Sequence, residues 1–212
     1  MEEKKNGNLK DSIHRGKILR AATTLFRRQG YHGTSTRQIA LKAGVSLGNI
    51  YNHFPTKERL FATLLEEYEK EYFSPSQPMM KALAKTTFPD DIAEIGEASR
   101  QTVEKFADYL RLIYVDMIEF DAKHIARIFM GMRERYAKLL ETRGEKLSSR
   151  IAEGVDPVAA MMTVTFSYQN FFIMEKLFNV KGHYGMDDKQ AIRQFAELFR
   201  NGILPREERR GR

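Results

Sequence analysis

Apolar residues recur at helical spacing along almost the whole chain, and no segment alternates at the two-residue period of a strand. In the stretch 11–29, Ile18, Ala22, Leu25 and Phe26 fall at i, i+4, i+7 and i+8, one stripe of a helix. Asp11 or Ser12 can cap its start, and Gly30 stands where a left-handed residue would stop it. Ser35-Thr36-Arg37-Gln38 has the spacing of a capping box and opens a short helix to Ala43. Gly44 can take the positive φ of a turn, Ser46 caps a third helix over 47–53, and Phe54-Pro55 ends it. Thr56 caps a fourth helix over 57–73.

Ser74-Pro75-Ser76-Gln77-Pro78 is the strongest break in the chain. After it the pattern predicts helices over 79–86, 90–108, 109–120, 123–143, 156–180 and 188–201, with Asp156-Pro157 opening the longest apolar one. The expected fold is all-α, about nine helices in two parts. The expected boundaries are a mobile basic tail at 1–10, one domain at 11–74, a larger helical domain at 75–205 and a mobile tail at 206–212.

The 212 residues contain no Cys, which excludes a disulfide scaffold, a thiolate metal site and a cysteine nucleophile. No run of about 18 apolar residues occurs, and the start MEEKKNGNLKDS lacks an apolar core, so the expectation is a cytoplasmic protein without a membrane partner. The net charge is +7 and unevenly placed. Residues 1–60 hold 12 Lys/Arg against 4 Asp/Glu, a net of +8, and the remainder nets −1. A basic end on a neutral body is the footprint of a polyanion binder.

Residues 36–55, TRQIALKAGVSLGNIYNHFP, fit two short helices crossing over a tight turn. Ile39, Ala43, Val45 and Ile50 supply the shared apolar contact, and Ala40 is small where the helices approach. Leu47, Gly48, Asn49, Tyr51, Asn52 and His53 are then available to a DNA major groove, where base edges can be told apart. Thr36 and Lys57 stand at helix N-termini, whose free N–H groups favour a phosphate.

The segment RGKILRAATTLFRRQGYHGTSTRQIALKAGVSLGNIYNHFPTKERL, Arg15 to Leu60, resembles the DNA-binding domain of the TetR family of transcriptional regulators. The shared features are IL-AA--LF, GY-GTS and IA--AGVS-G-IY-HF--KE-L. The resemblance implies a homodimer with one helix-turn-helix domain and one larger ligand and dimerisation domain per subunit. It also implies that Thr36, Arg37, Gly48, Tyr51, His53 and Lys57 match positions that contact DNA. The expected function is a regulator on a palindromic double-stranded operator, a repressor released when a largely apolar effector pivots the helix at 57–73. The alternative is a dimeric regulator that needs no ligand.

Residues 158–178 are apolar on nearly every face, which predicts cover from a partner subunit. The expected dimer residues are Val164, Tyr168, Phe171, Phe172, Glu175, Ile192, Phe195 and Phe199. The Met- and Phe-rich remainder suggests an adaptable apolar pocket lined by Tyr114, Met117, Phe120, His124, Phe129, Met132, Tyr136, Met162, Phe166 and Gln169. Asp121 and His124 are spaced i, i+3, but a metal needs three or more ligands, so neither metal nor cofactor is expected. No G-x-S-x-G, H-E-x-x-H or Gly-rich phosphate loop occurs, which argues against an enzyme.

Overall fold

The structure is a computed structural model that describes residues 2–141 and 150–203, with the backbone alone for 2–9 and 203. Among the described residues there are eleven helices and no strand. They are α1 (Glu2–Gln29), α2 (Thr36–Ala43), α3 (Leu47–His53), α4 (Lys57–Tyr72), α5 (Pro78–Lys85) and α6 (Ile92–Lys105), then α7 (Ala107–Glu119), α8 (Ala126–Met130), α9 (Met132–Glu141), α10 (Pro157–Lys176) and α11 (Asp188–Ile203). None of them is long and apolar enough to cross a membrane. The expected C-terminal tail lies outside the described residues.

The chain forms two compact units. The first holds the chain through Glu71 together with Asp108–Ala126, and the second holds Tyr72–Ala107 and the chain from Arg127 onward. A single cut at residue 74 does not foresee that α7 folds with the N-terminal helices. The α1 helix also begins at Glu2, well before the expected start at Asp11.

In the first unit the α1 stripe closes over α2, α3 and α4. Ile18, Ala22, Phe26, Ile39, Ile50, Leu60 and Phe61 are buried there. Aromatic rings tie α1 to α4 and to the end of α7. Phe26 meets Phe61 edge-on at 5.3 Å, Tyr31 meets Phe120 at 4.5 Å, and Phe61 stacks on Phe120 at 5.2 Å. Such pairs add about 0.5–1.5 kcal/mol each beyond the area they bury.

The single helix expected over 123–143 is broken. Asp116 is fully buried, and its carboxylate accepts the N–H groups of His124 and Ile125 at 3.1 Å each. That bends the chain after α7 and holds Asp121 and Ala122 at left-handed φ of 52° and 59°. Gly131 separates α8 from α9. His124 pairs with Asp116 at 2.5 Å, and Asp121 is exposed.

The second unit is built around α10. Asp156 caps it by accepting from Ala159 N–H at 2.9 Å, with Pro157 at the first helical position. The Arg133 guanidinium, 2.7 Å away, and that N–H hold the Asp156 carboxyl below the usual carboxylate range. The helix packs on α6, α9 and α11 of its own chain. This corrects the dimer expectation in part. Val164, Tyr168, Phe171, Phe172 and Glu175 are buried within one subunit, so they are not free to face another. Glu175 accepts from Gly182 N–H at 2.7 Å, and Tyr168 donates its hydroxyl to Ile192 O at 2.8 Å. Ile192, Phe195 and Phe199 are half-buried on α11.

Gly96 permits the close crossing of α6 and α10. A Cβ there would stand 2.8 Å from Tyr168 Cζ and 2.9 Å from Cε1. Tyr168 is enclosed, so it has little room to yield. Gly96→Ala is therefore expected to lower the free energy of unfolding in urea by about 1–3 kcal/mol, the usual cost of overpacking. Gly202→Ala, where a Cβ meets nothing, should leave it unchanged or raise it slightly. Equal stability of the two variants would contradict this packing.

Candidate nucleic-acid interface

The helix-turn-helix is assembled by local chemistry. Ser35 Oγ accepts from Gln38 N–H at 3.2 Å and Gln38 Oε1 accepts from Ser35 N–H at 2.8 Å, a complete capping box. Gly44 ends α2 at φ 65°, and Val45 N–H returns to Ala40 O at 3.1 Å. Ser46 Oγ then caps α3 through Asn49 N–H at 3.1 Å. Ile39, Ala40, Ala43 and Ile50 are buried between the helices.

This seating fixes which side of α3 faces solvent. Gly48, Tyr51 and Asn52 are exposed, and Tyr51 Oη lies 3.3 Å from Thr36 Oγ1 at the start of α2. Arg37 and Lys42, exposed on α2, carry no acidic partner among the described residues. A Cβ on Gly48 would meet nothing nearer than Ser46 Oγ at 3.9 Å, so the fold itself does not require glycine there. Leu47 is half-buried.

Three of the expected contact residues also have neighbours within the fold. Asn49 Nδ2 lies 3.3 Å from His14 Nδ1 of α1. The His53 side chain is only 7% exposed, with Nε2 3.3 Å from Asp11 Oδ1. Both side chains lie against α1. Lys57 donates to Tyr31 O at 2.8 Å and to Thr34 O at 2.7 Å, and its Nζ sits 4.0 Å over the Tyr31 ring. Its ammonium clamps the loop before α2. Burial lowers its pKa from the ordinary lysine value, and the Glu119 charge partly offsets this.

The same loop shows a group that local reading of the motif does not reach. Glu119, at the end of α7, accepts Tyr31 N–H at 2.8 Å and His32 N–H at 2.6 Å. Burial and the charges of Glu58 and Glu119 push the Tyr31 phenol up. Lys123 bonds Glu58 at 2.7 Å and holds its carboxyl below the usual range. Nothing in the spacing of 30–60 points to an acid almost ninety residues downstream.

The ten residues expected to line a ligand pocket divide between the units. Phe120 and His124 belong to the first unit's aromatic cluster, where their rings are 4.9 Å apart. Their partners there, Tyr31, Phe61 and Asp116, take them out of a ligand pocket. Tyr114 is half-buried in that unit, and Met117 is 47% exposed. In the second unit Phe129 is 52% exposed, and Met132 and Tyr136 are buried. Exposure on this scale does not fit Met117 or Phe129 to the lining of an enclosed site. Burial pushes the Tyr136 phenol up to about 12. Met162, Phe166 and Gln169 are half-buried; Tyr136 and Phe166 rings lie 6.2 Å apart, and Gln169 Nε2 donates to Tyr72 Oη at 2.8 Å.

Comparison with known proteins agrees with this geometry. Residues 18–64 match the family of bacterial regulatory proteins, tetR family. Over 189 residues the chain is 26% identical to the uncharacterized HTH-type transcriptional regulator YvkB of Bacillus subtilis, covering 88% of this chain and 95% of that one. It is 36% identical to the HTH-type transcriptional regulator RutR of Escherichia coli over 104 residues, 48% of this chain and 46% of the relative. The fold resembles that of the transcriptional regulator FadR from Bacillus subtilis in complex with stearoyl-CoA, with a TM-score of 0.60, 22% identity and coverage of 88% and 98%. Residues 18–64 carry the helix-turn-helix of the bacterial regulatory proteins, tetR family, and the chain is a DNA-binding transcriptional regulator.

Proposed function

We propose that the protein is a dimeric repressor that reads a palindromic operator and leaves it on binding a largely apolar effector. One observation carries the DNA part. The α3 helix is backed by Ile50, Asn49 and His53, so Gly48, Tyr51 and Asn52 stand outward beside Thr36 and Arg37, which has no acidic partner among the described residues. Leu47, at the first position of α3, adds apolar contact at the rim. In this reading Asn52 faces base edges, Tyr51, Thr36 and Arg37 bond phosphates, and Gly48 lets the backbone come close. Asn49 and His53 act from behind, and Lys57 holds the loop.

The α11 helix supports the dimer. Leu198 is 68% exposed, with Phe195 and Phe199 half-buried on the adjoining turns, so a second copy of α11 would cover them. The effector reading rests on the second unit, where Met132, Tyr136, Met162, Phe166 and Gln169 combine apolar bulk with a few polar atoms. The stearoyl-CoA in the FadR structure makes a long-chain acyl thioester the first class to test.

Selection of bound duplexes from a random pool should return a palindrome with half-sites about one helical turn, or a multiple of it, apart. Absence of any consensus would refute the reading. Arg37→Ala should weaken binding to all sequences and lower the slope of log affinity against log salt by about one. Gly48→Ala should keep or raise thermal stability yet weaken operator binding by roughly tenfold, because a methyl group would stand where the DNA approaches the helix backbone. Lys57→Met should chiefly destabilise the fold, by about 1–3 kcal/mol, because Thr34 O loses its donor. Leu198→Glu should convert the dimer to monomer in sedimentation; an unchanged mass would remove α11 from the interface. Acyl-CoA that neither raises the melting temperature nor releases DNA would contradict the effector class.

A further inference from the structure

We propose that Glu119, at the end of α7 and outside the helix-turn-helix, is a positioning residue for DNA recognition. Its carboxylate fixes the loop from Gly30 to Thr34 and thereby the angle at which α2 and α3 present their outer faces. This rests on the reading of the protein as an operator-binding regulator.

The peptide units of the loop are held from two sides by opposite charges. The carboxylate accepts the N–H groups of Tyr31 and His32 at 2.8 and 2.6 Å, and the Lys57 ammonium donates to the carbonyls of Tyr31 and Thr34 at 2.8 and 2.7 Å. Charge-assisted bonds are shorter and stronger than neutral ones, and here they share the Tyr31 residue. The Glu119 side chain is only 19% exposed, so water competes weakly for it. Gly30 makes the approach possible: its φ is 75°, and a Cβ there would collide with Glu119 Oε1. Phe120, the next residue, locks the same place by packing on Tyr31 and Phe61.

A short path links this grip to the DNA-facing surface. Thr34 precedes Ser35, the cap of α2, and Thr36 of α2 reaches Tyr51 of α3 at 3.3 Å. A loop released at Tyr31 and His32 would leave the start of α2 free to shift against α3. Glu119 itself is held in place because Asp116 closes the turn behind it through the N–H groups of His124 and Ile125. In sequence, the segment Asp108–Ala126 is bounded on both sides by chain that belongs to the second unit.

The test compares the full-length parent with Glu119→Ala, Glu119→Gln and Glu119→Asp on the operator that the parent itself selects and on random duplex of equal length. Glu119→Ala should lose roughly ten- to hundredfold in operator affinity, the scale of hydrogen bonds to a charged group. Its affinity for random duplex and its salt slope should stay unchanged, because no phosphate contact is removed. Glu119→Asp should recover part of the loss, and Glu119→Gln should fall between. Lys123→Ala, which breaks the exposed pair with Glu58 in the same segment, should bind within about twofold of the parent. Operator affinity of a folded Glu119→Ala within twofold of the parent would overturn the proposal. So would equal losses on operator and random duplex, which would mean the carboxylate only supports the fold. If Glu119→Ala does not fold, the Gln and Asp variants decide by the same operator-to-random ratio. A parent that selects no operator at all fails the DNA reading, not this one.

Discussion

A helix of seven residues is too short to be stable by itself, and the whole DNA-facing end of this protein depends on that limit. The α3 helix exists because something holds it. Ser46 caps its start, Ile50 anchors its buried face, and Asn49 and His53 reach back to His14 and Asp11 of α1. With three side chains committed to the rear, only the opposite face is left for a ligand. The exposed set of Gly48, Tyr51 and Asn52 follows from helix geometry once the rear is assigned. The aromatic cluster of Phe26, Tyr31, Phe61 and Phe120 then fixes the frame in which α3 is displayed.

The two units differ in what they expose and what they bury. In the first unit Arg37 and Lys42 of α2 are exposed and have no acidic partner among the described residues, while other cations are paired. Arg15 pairs with Glu67, Arg59 with Glu66 and Arg27 with Asp108. The net +8 of the first sixty residues is thus partly offset by acids of α4 and α7. The second unit invests in an apolar helix wrapped by α6, α9 and α11.

What was legible in the sequence was legible because its chemistry is local. The capping box at Ser35 and Gln38, the left-handed Gly44, the cap at Ser46 and the stop at Phe54-Pro55 all act within four residues, and each is found where spacing puts it. The candidate site was harder. Spacing ranked Asn49, His53 and Lys57 with the DNA contacts, because it shows which side of a helix a residue lies on but not what stands behind it. Their partners come from α1 and from the loop after it. The late start of the helix expected over 123–143 was hidden for the same reason, since the buried carboxylate of Asp116 holds His124 and Ile125 in a turn. The all-round apolarity of α10 demanded cover, and periodicity could not say whether one chain or two would supply it. Here the chain covers Val164, Tyr168, Phe171 and Phe172 itself, and Leu198 on α11 is one of several apolar side chains left exposed.

The central claim is that the outer face of α3 enters the major groove. Methylation protection on the bound duplex tests it most directly, because guanine N7 is reached only from that groove. The account predicts two clusters of protected guanines, one per half-site, centred about one helical turn or a multiple of it apart. Protection confined to minor-groove adenine N3, with guanine N7 fully reactive, would contradict it.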